Sequence, residues 1–392
     1  MLLKNCKVVL ATHYLVYGAS QALREYLIDQ RTHSLLFIAH PLNGDTQGGS
    51  YFEKIYSGNL IKKEIISARK TFGIIDYIKE ITWNIKAVLQ QKDRYDLFIG
   101  VDNLNAFAGI LLKKTGFVKK VIYYTIDFTP VRFENRILNF IYHSLDKFCM
   151  ANSDETWNVS SRIAEGREKF RGLDRTKYSM QKIVPIGIWF NRTSRVPFKS
   201  VKKHQLLFVG NLLKKQGVHH VLEAIPIILK EIEDFHFLVI GGGDYEEELK
   251  EQTRILGIEP YVTFTGWVKD RKVLDGLISD SALAIAMYEK YDKMGNLTYT
   301  YFADPTKLKD YLCAGIPILL TDVSHNAKEI EEKQCGKIIK AEKNEIAHSV
   351  IEIIRDEKTL RNYRENALEF IQEYDWVTIF RQRLNDGILQ NF

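Results

Sequence analysis

The sequence predicts an α/β fold of two domains, each built on parallel strands that alternate with helices. The chain has 392 residues, more than one hydrophobic core usually serves. Short apolar stretches typical of buried strands alternate with helical patterns, and this alternation begins twice, at Lys7 and again at Leu206. A glycine-bearing loop follows each beginning, as in Rossmann-like folds.

Composition and charge limit the classes of function. Hydrophobic residues make up 45% of the chain, which excludes a largely disordered protein. Residues 1–200 carry 30 Lys and Arg against 18 Asp and Glu, a net charge of +12, and the remainder carries −6. A basic half suits an anionic lipid surface, nucleic acid or an anionic substrate, although a solvated face without a partner explains it equally simply. No nucleic-acid-binding motif is present.

The cysteines and the hydropathy pattern predict the compartment. Four cysteines are dispersed without the spacing of a metal site, which favours reduced thiols in a cytoplasm over a disulfide framework. No apolar run reaches the length needed to cross a bilayer. We therefore expect a soluble, cytoplasmic protein.

The elements of the first half follow from hydrophobic periodicity. Residues 43–70 are polar, glycine-punctuated and basic, which predicts loops. Helices are predicted at 20–28, 74–89 and 106–113, and strands at 7–12, 35–38, 96–100, 121–125, 148–153 and 182–188.

Three polar residues stand where predicted strands of the first half end: His13, Asp102 and Asp127. Functional residues of doubly wound sheets cluster at the carboxyl ends of the strands, so these three are candidate catalytic groups. Each could equally be a simple loop cap.

The second half repeats the alternation. Gly241, Gly242 and Gly243 follow a predicted strand, but Glu246 occupies the last position of the G-x-G-x-x-G pattern, so we interpret the run as a tight turn that lets backbone approach a ligand. Helices are predicted at 217–230, 247–256 and 273–278, and strands at 206–211, 235–240, 262–268 and 282–287.

The most informative stretch is residues 304–322, which predicts a loop, a helix, a tight turn and a buried strand. Thr306 and Lys307 stand at the helix N-terminus, where free N–H groups and a partial positive charge suit a phosphate. Asp310 lies one turn further on the same face, where a carboxylate can bind sugar hydroxyls. This set suits a sugar nucleotide, and a helix cap with a surface ion pair is the alternative.

The run P-T-K-L-K-D-Y-L-C-A-G-I-P from Pro305 to Pro317 resembles the signature of retaining GT-B glycosyltransferases of family 4 type, the glycosyl transferases group 1. The resemblance implies two Rossmann-like domains facing across a cleft. It implies an acceptor-binding domain at 1–200, a nucleotide-sugar-binding domain at 201–373, and a C-terminal helix at 374–392 that returns to the first domain.

The resemblance also implies residue roles. Many relatives place an Arg and a Lys on the donor diphosphate where this chain has Asn211 and Gln216, so Lys307 or a neighbouring lysine would carry that charge. Asp127 matches the acid of a Val-His-Asp motif, with Ile126 at the position of the histidine. The further donor contacts that the resemblance implies are Gly18, Lys214, Lys215, Gly242, Gly243 and Val268.

The function implied is transfer of a sugar, with retention, from a UDP- or GDP-sugar to an acceptor hydroxyl in bacterial surface polysaccharide or glycolipid assembly. No metal is expected, because no Asp-x-Asp pair precedes a plausible donor strand and the cysteines are dispersed. No cofactor is expected, because the nucleoside diphosphate sugar is itself the donor substrate. The acceptor would be a carbohydrate or a lipid-linked oligosaccharide, with peripheral contact to an anionic membrane through 54–70 and 113–120 at the inner face of the plasma membrane. The alternatives are a sugar-nucleotide 2-epimerase and a non-catalytic sugar-nucleotide-binding partner subunit.

Overall fold

The computed structural model describes residues 2–14, 17–42, 49–67 and 74–391. The chain divides into two compact units: unit 1 is Met1–Pro185 with Trp376–Phe392, and unit 2 is Ile186–Asp375. The predicted domain ranges and their roles stay predictions. Parts of the predicted first loop and of the predicted basic stretch, including Arg69 and Lys70, lie outside the described residues.

Unit 1 is built on an eight-stranded sheet in which a parallel core carries an antiparallel hairpin at one edge. Its strands are β1 (Lys7–Tyr14), β2 (Ser34–Pro41), β3 (Ser50–Tyr56), β4 (Asn59–Ser67), β5 (Tyr95–Val101), β6 (Val118–Thr125), β7 (Glu155–Asn158) and β8 (Met180–Ile183), in the order β4-β3-β2-β1-β5-β6-β7-β8. Its helices before the second unit are α1 (Ala19–Asp29), α2 (Ile74–Gln90), α3 (Asn103–Lys114), α4 (Arg136–Asn152) and α5 (Ser161–Arg171).

Two predictions for this unit are wrong. The stretch predicted as loops contains the hairpin β3–β4, whose turn is made by Ser57 and Gly58, both at positive φ. The predicted strand at 148–153 is instead the last turn of α4, and the strand begins later, at Glu155. A short, fully apolar run does not distinguish a buried strand from a buried helix end, and no Gly or Pro interrupts the helix before it.

Unit 2 is built on a six-stranded, wholly parallel sheet, and its strands pair in the order β11-β10-β9-β12-β13-β14. The strands are β9 (Lys202–Val209), β10 (His236–Ile240), β11 (Val262–Phe264), β12 (Ser281–Ala286), β13 (Ile318–Leu320) and β14 (Gly336–Ile338). The helices are α6 (Val218–Ile228), α7 (Glu246–Ile255), α8 (Arg271–Ser279), α9 (Tyr299–Phe302), α10 (Thr306–Cys313), α11 (Ala327–Glu332), α12 (Lys343–Arg355) and α13 (Glu357–Phe370).

The chain ends in unit 1 with α14 (Trp376–Phe380), whose Phe380 ring lies 5.5 Å from that of Tyr26 on α1. The predicted continuous helix to the terminus is wrong, because a π-turn at Arg381–Asn385 and a 3₁₀ turn follow α14. Among the described residues, no helix is both long and apolar enough to span a membrane.

Strand order places one crevice in each unit. In unit 1 the chain moves to opposite sides of the sheet from the adjacent strands β1 and β5, and in unit 2 from β9 and β12. Ligands of open α/β sheets bind outside the carboxyl ends of the strands at such reversals. These two points are where the candidate residues must be judged.

Candidate functional site

In unit 2 the site is built around the N-terminus of α10. Pro305 is the N-cap residue in an extended conformation, so the helix begins at Thr306 as predicted. Gly315 ends it at φ 74°, and a Cβ there would approach Arg364 Cγ to 2.9 Å. Beneath the helix, Asp304 pairs with the buried Lys309 and accepts from the Ile186 N–H at 2.7 Å. These two contacts of Asp304 therefore fix the position of the N-terminus of α10.

Lys307 points to the crevice between β9 and β12. Its Nζ donates to Gln216 Oε1 at 2.6 Å and lies 4.1 Å from the ring centre of Phe208 and 4.9 Å from that of Tyr288. Burial lowers the pKa of Lys307 to about 7. Within the described residues, Lys307 forms no ion pair. A cation kept from water without a counter-ion is a ready partner for an anion.

Glycines let the loops after β9 and β10 meet beside the amine of Lys307. A Cβ at Gly210 would lie 3.4 Å from Lys307 Nζ, and one at Gly241 would lie 1.9 Å from the Gly210 carbonyl oxygen. A Cβ at Gly243 would lie 2.3 Å from Asn211 Oδ1. The loops after β9 and β10 therefore approach each other more closely than side chains would allow. The glycines thus allow two loops of the chain to pack closely, and the predicted approach of backbone to a ligand stays a prediction.

The remaining predicted donor contacts of unit 2 are spread around this point. Lys215 is half-buried with its Nζ 3.8 Å from the ring centre of Tyr299, and Lys214 is exposed. Gly242 is buried and faces the indole nitrogen of Trp267, which a Cβ would approach to 3.0 Å. Val268 is partly buried against the core of the unit.

Thr306 and Asp310 differ in what they offer. The Thr306 side chain is exposed. Asp310 is buried, and its Oδ1 accepts from Arg271 Nη2 at 2.7 Å. Burial raises the pKa of Asp310, and the charge of Arg271 opposes that rise. Arg271 thus donates to Asp310 in an ion pair one turn into the helix.

The crevice of unit 2 thus offers one half-buried amine, that of Lys307, together with the free N–H groups of a helix start and closely approaching glycine backbone. These groups are the means by which proteins bind a diphosphate. The Tyr288 hydroxyl is also buried and has no hydrogen-bond partner among the described residues.

In unit 1 the equivalent crevice holds His13 at the end of β1. Its Nδ1 lies 2.5 Å from Asp102 Oδ2 and its Nε2 lies 3.0 Å from Glu80 Oε2. Burial alone would lower the pKa of His13, but Asp102 and Glu80 outweigh burial and raise it to about 10. Asp102 also caps α3, accepting from the Leu104 N–H at 3.0 Å. His13 is therefore an imidazolium held between two carboxylates.

A second, neutral histidine lies beside it. His40, at the end of β2, is fully buried and contacts Ser50 Oγ at 2.9 Å and Asn84 Oδ1 at 3.1 Å. Burial, and next the charge of His13, lower the pKa of His40 to about 4. Asn105 links the groups, because its amide accepts from Asn84 at 2.8 Å and donates to the Val101 carbonyl at 2.8 Å.

The structure does not bring the other two predicted residues of unit 1 into this cluster by direct contact. Asp127 is exposed and pairs with Arg132 Nη1 at 2.6 Å. Gly18 is the N-cap of α1 in an extended conformation, and its N–H donates to Gln21 Oε1 at 3.0 Å. That conformation is open to any residue, so glycine is not required there by the backbone.

Several site residues were missed from the sequence: Glu80, His40, Asn84, Gln216, Arg271 and Tyr288. His40 follows a strand end, so the rule that selected His13 would have found it. Glu80 and Arg271 lie inside helices and meet their partners 67 and 39 residues away in sequence, so no local pattern signals them.

Comparisons with known proteins agree with this geometry. Residues 190–370 match the family described as glycosyl transferases group 1. An uncharacterized glycosyltransferase of Methanocaldococcus jannaschii is 23% identical over 292 residues, 69% of each chain. The phosphatidyl-myo-inositol mannosyltransferase of Mycobacterium leprae is 22% identical over 45% of this chain and 44% of its own length.

Similarity of structure extends over the full length. HepE of Anabaena, solved in complex with UDP and glucose, superposes with a TM-score of 0.70 at 15% identity, covering 99% of this chain and 100% of that one. The likeness establishes the fold. Residues 190–370 are therefore similar to the glycosyl transferases group 1 family, and the fold of the chain is the GT-B fold that the sequence predicts.

Proposed function

We propose that this chain is a retaining, metal-independent glycosyltransferase that moves a hexosyl group from a UDP- or GDP-sugar to an acceptor hydroxyl. The bond from the anomeric carbon to the diphosphate oxygen breaks, and a bond from that carbon to the acceptor oxygen forms on the same face. The acceptor proton passes to the departing phosphate oxygen. No redox cofactor takes part.

The observation that carries the proposal is Lys307. Its amine is held beside the glycine loops and the start of α10 by an amide oxygen and two aromatic rings, without an acid. Gln216, which stands where many relatives have a lysine, orients Lys307 through a 2.6 Å hydrogen bond. Lys307, on α10, would thus supply the positive charge that neutralises the diphosphate. Charge stabilisation of a leaving diphosphate needs a positioned cation, and a lysine can take that role without a metal.

Unit 1 supports the part of the mechanism that lacks a dedicated base. His13 has a pKa of about 10 and both ring nitrogens engaged, so it keeps its proton at neutral pH. Asp127 is exposed and already paired with Arg132. Neither group is prepared to accept a proton from an acceptor hydroxyl. We therefore infer that His13 and Asp102 maintain the structure of unit 1, which we propose binds the acceptor.

The proposed setting is polysaccharide or glycolipid assembly, with a carbohydrate or lipid-linked acceptor and peripheral contact to an anionic membrane. The relative from M. leprae is named for a phosphatidyl-inositol substrate, and HepE was solved with UDP and glucose. We infer the same class of donor here.

The test is calorimetric titration of UDP and of GDP in EDTA. One nucleotide should bind, and Lys307→Ala should weaken it by about 1.5–3 kcal/mol, the range for a hydrogen bond to a charged group. Lys328→Ala, an exposed lysine of α11, is the matched control and should bind as the parent does. Unchanged affinity in folded Lys307→Ala, or binding that needs Mn²⁺, would contradict the proposal.

A second arm separates an enzyme from a binding subunit. The parent chain should release UDP slowly from UDP-sugar in the absence of acceptor, and Lys307→Ala should not. Tight binding without any hydrolysis would favour the non-catalytic partner subunit.

A further inference from the structure

Close to Lys214 and Lys215, two of the predicted donor contacts, unit 2 contains a cluster of two histidines and a carboxylate. His219 and His220 occupy the second and third positions of α6, and Glu289 follows β12. One ligand atom from each residue lies within 4.8 Å of the others. All three side chains are partly exposed, so an ion could reach them from solvent.

The distances fit an ion better than a direct bond. His219 Nε2 lies 3.6 Å and His220 Nε2 lies 3.9 Å from the same oxygen, Glu289 Oε1. Both separations exceed hydrogen-bond length. Zinc–nitrogen and zinc–oxygen bonds of about 2.0–2.2 Å in a tetrahedron place neighbouring ligand atoms about 3.3 Å apart. The two histidine–carboxylate separations are therefore within a few tenths of an ångström of coordination distance, and the ligand atoms as a group, all within 4.8 Å of one another, would have to close further around the ion.

The backbone already holds the three ligands in place. The Glu289 N–H donates to the Lys215 carbonyl at 2.9 Å, and the Glu289 carbonyl accepts from Thr298 Oγ1 at 2.9 Å. The His219 ring packs edge-on against Tyr245, with ring centres 5.8 Å apart. An ion here would join two segments that are already fixed relative to each other, so little ordering opposes binding.

The charges nearby also favour a cation. Glu248 and Glu223 interact electrostatically with Tyr245, whose ring packs against His219, so two acids besides Glu289 lie near the cluster. Lys214 opposes them, but its side chain is exposed and can turn away.

We propose that His219, His220 and Glu289 form a binding site for a divalent transition-metal ion of the zinc class. Two imidazoles and one carboxylate suit Zn²⁺, Ni²⁺ or Cu²⁺ and not Mg²⁺, which prefers an all-oxygen shell. Three protein ligands leave a fourth position open to water. None of the three residues is among the proposed donor contacts, so this site is separate from the metal-independent transfer.

The test is titration of ZnCl₂ into the tag-free, metal-stripped chain by calorimetry. One ion should bind, and His220→Ala and Glu289→Gln should each weaken it by more than about tenfold. His204→Ala is the matched control, because His204 also lies beside a carboxylate, Asp234 at 2.6 Å, but belongs to no group of three possible metal ligands among the described residues. It should bind Zn²⁺ as the parent does.

Thermal unfolding gives a second measurement, since an ion that binds the folded chain raises its melting temperature. Zn²⁺ should stabilise the parent and the control but not Glu289→Gln, which keeps the backbone bonds of that residue and should fold. Absence of one-to-one binding, equal binding by Glu289→Gln, or equal binding of Mg²⁺ would overturn the proposal.

Discussion

The crevices of the two units hold buried cations in opposite ways. At the ends of β1 and β5, His13 lies between Asp102 and Glu80, and its pKa is raised to about 10. At the ends of β9 and β12, Lys307 meets an amide oxygen and two rings, and burial lowers its pKa to about 7. Removing one partner of a buried ion pair destabilises the protein, because the other charge is left uncompensated, whereas a cation without a counter-ion is stabilised by an anionic ligand.

The comparison predicts where a substitution damages the fold and where it damages binding. Charges of unit 1 that are internally paired should matter for stability. The charge of Lys307 should matter for the nucleotide. Four predictions follow this division, from the largest expected effect to the smallest.

The largest effect is expected at Arg167, which is fully buried near the ends of β6 and β7. Its Nη2 lies 2.6 Å from Asp146 Oδ1 and also donates to Thr125 Oγ1, and its Nη1 donates to Asn158 Oδ1. Arg167→Met leaves Asp146 charged and buried, so unit 1 should lose about 3–5 kcal/mol of unfolding free energy in urea.

Two controls accompany Arg167→Met. Lys169→Met, on the exposed face of the same helix, should change the unfolding free energy little. Combining Arg167→Met with Asp146→Asn should recover part of the loss, because no uncompensated charge remains. A loss below 1 kcal/mol in the single variant would show that the pair does not stabilise unit 1.

The next effect is expected from Asp102→Asn. Asparagine keeps the helix cap but removes the charge beside His13, so about 1.5–3 kcal/mol should be lost at pH 7. His13 is protonated more in the folded chain, so its contribution is complete below pH 6.5 and is lost as the pH rises through about 10. Asp102→Asn should move that loss to lower pH.

This shift can be measured by NMR titration of the His13 ring and by urea unfolding between pH 6.5 and 10. Asp127→Asn is the control, since Asp127 is exposed and its pair with Arg132 should contribute at most about 1 kcal/mol. If the His13 ring titrated at the same pH in Asp102→Asn as in the parent, the proposal that Asp102 keeps His13 protonated would be wrong.

The third prediction concerns the pH dependence of nucleotide affinity. Lys307 loses its charge as the pH rises through about 7, so UDP affinity should fall by about tenfold between pH 7 and 9. Lys307→Arg stays charged throughout this range, so its affinity should be nearly flat. Calorimetry at both pH values measures the difference. A parallel fall in the two proteins would assign the titration to another group.

The sequence predicted the site of unit 2 better than that of unit 1, and the reason is physical. The start of α10 depends on neighbours in sequence, since Pro305 precedes it and Gly315 ends it, so local rules found it. The pair of carboxylates that contacts His13 includes Glu80, which lies on α2, 67 residues away in sequence. The hairpin β3–β4 was missed because its charged residues come in runs, Glu53-Lys54 and Lys62 to Glu64, which break the alternation that signals a strand.

The smallest effect is expected on the binding of the chain to anionic membranes. The comparison of paired with unpaired cations applies here to the lysines of the predicted basic stretches. On β4, an edge strand, Leu60, Ile61 and Ile65 are exposed beside Lys62 and Lys63. An apolar and basic edge of this kind suits the surface of an anionic bilayer. Residues 68–70 of the predicted stretch lie outside the described residues.

Most of these lysines already have acidic partners, which limits what each can contribute. Lys62 and Lys63 pair with Glu64 at 2.5 Å and Glu53 at 3.2 Å. Lys113 and Lys119 pair with Asp154 and Asp96, both at 2.7 Å. Each lysine should therefore contribute less than the roughly 1 kcal/mol of a free one.

Co-sedimentation with phosphatidylglycerol vesicles at low and high salt tests this surface. The parent should bind weakly at low salt and be released at high salt, because the attraction is screened. Lys62→Ala with Lys63→Ala should reduce binding by less than about 2 kcal/mol in total. Lys340→Ala, an exposed lysine of unit 2, should leave it unchanged. Absence of binding at low salt, or binding that persists at high salt, would contradict electrostatic docking and favour a diffusible acceptor.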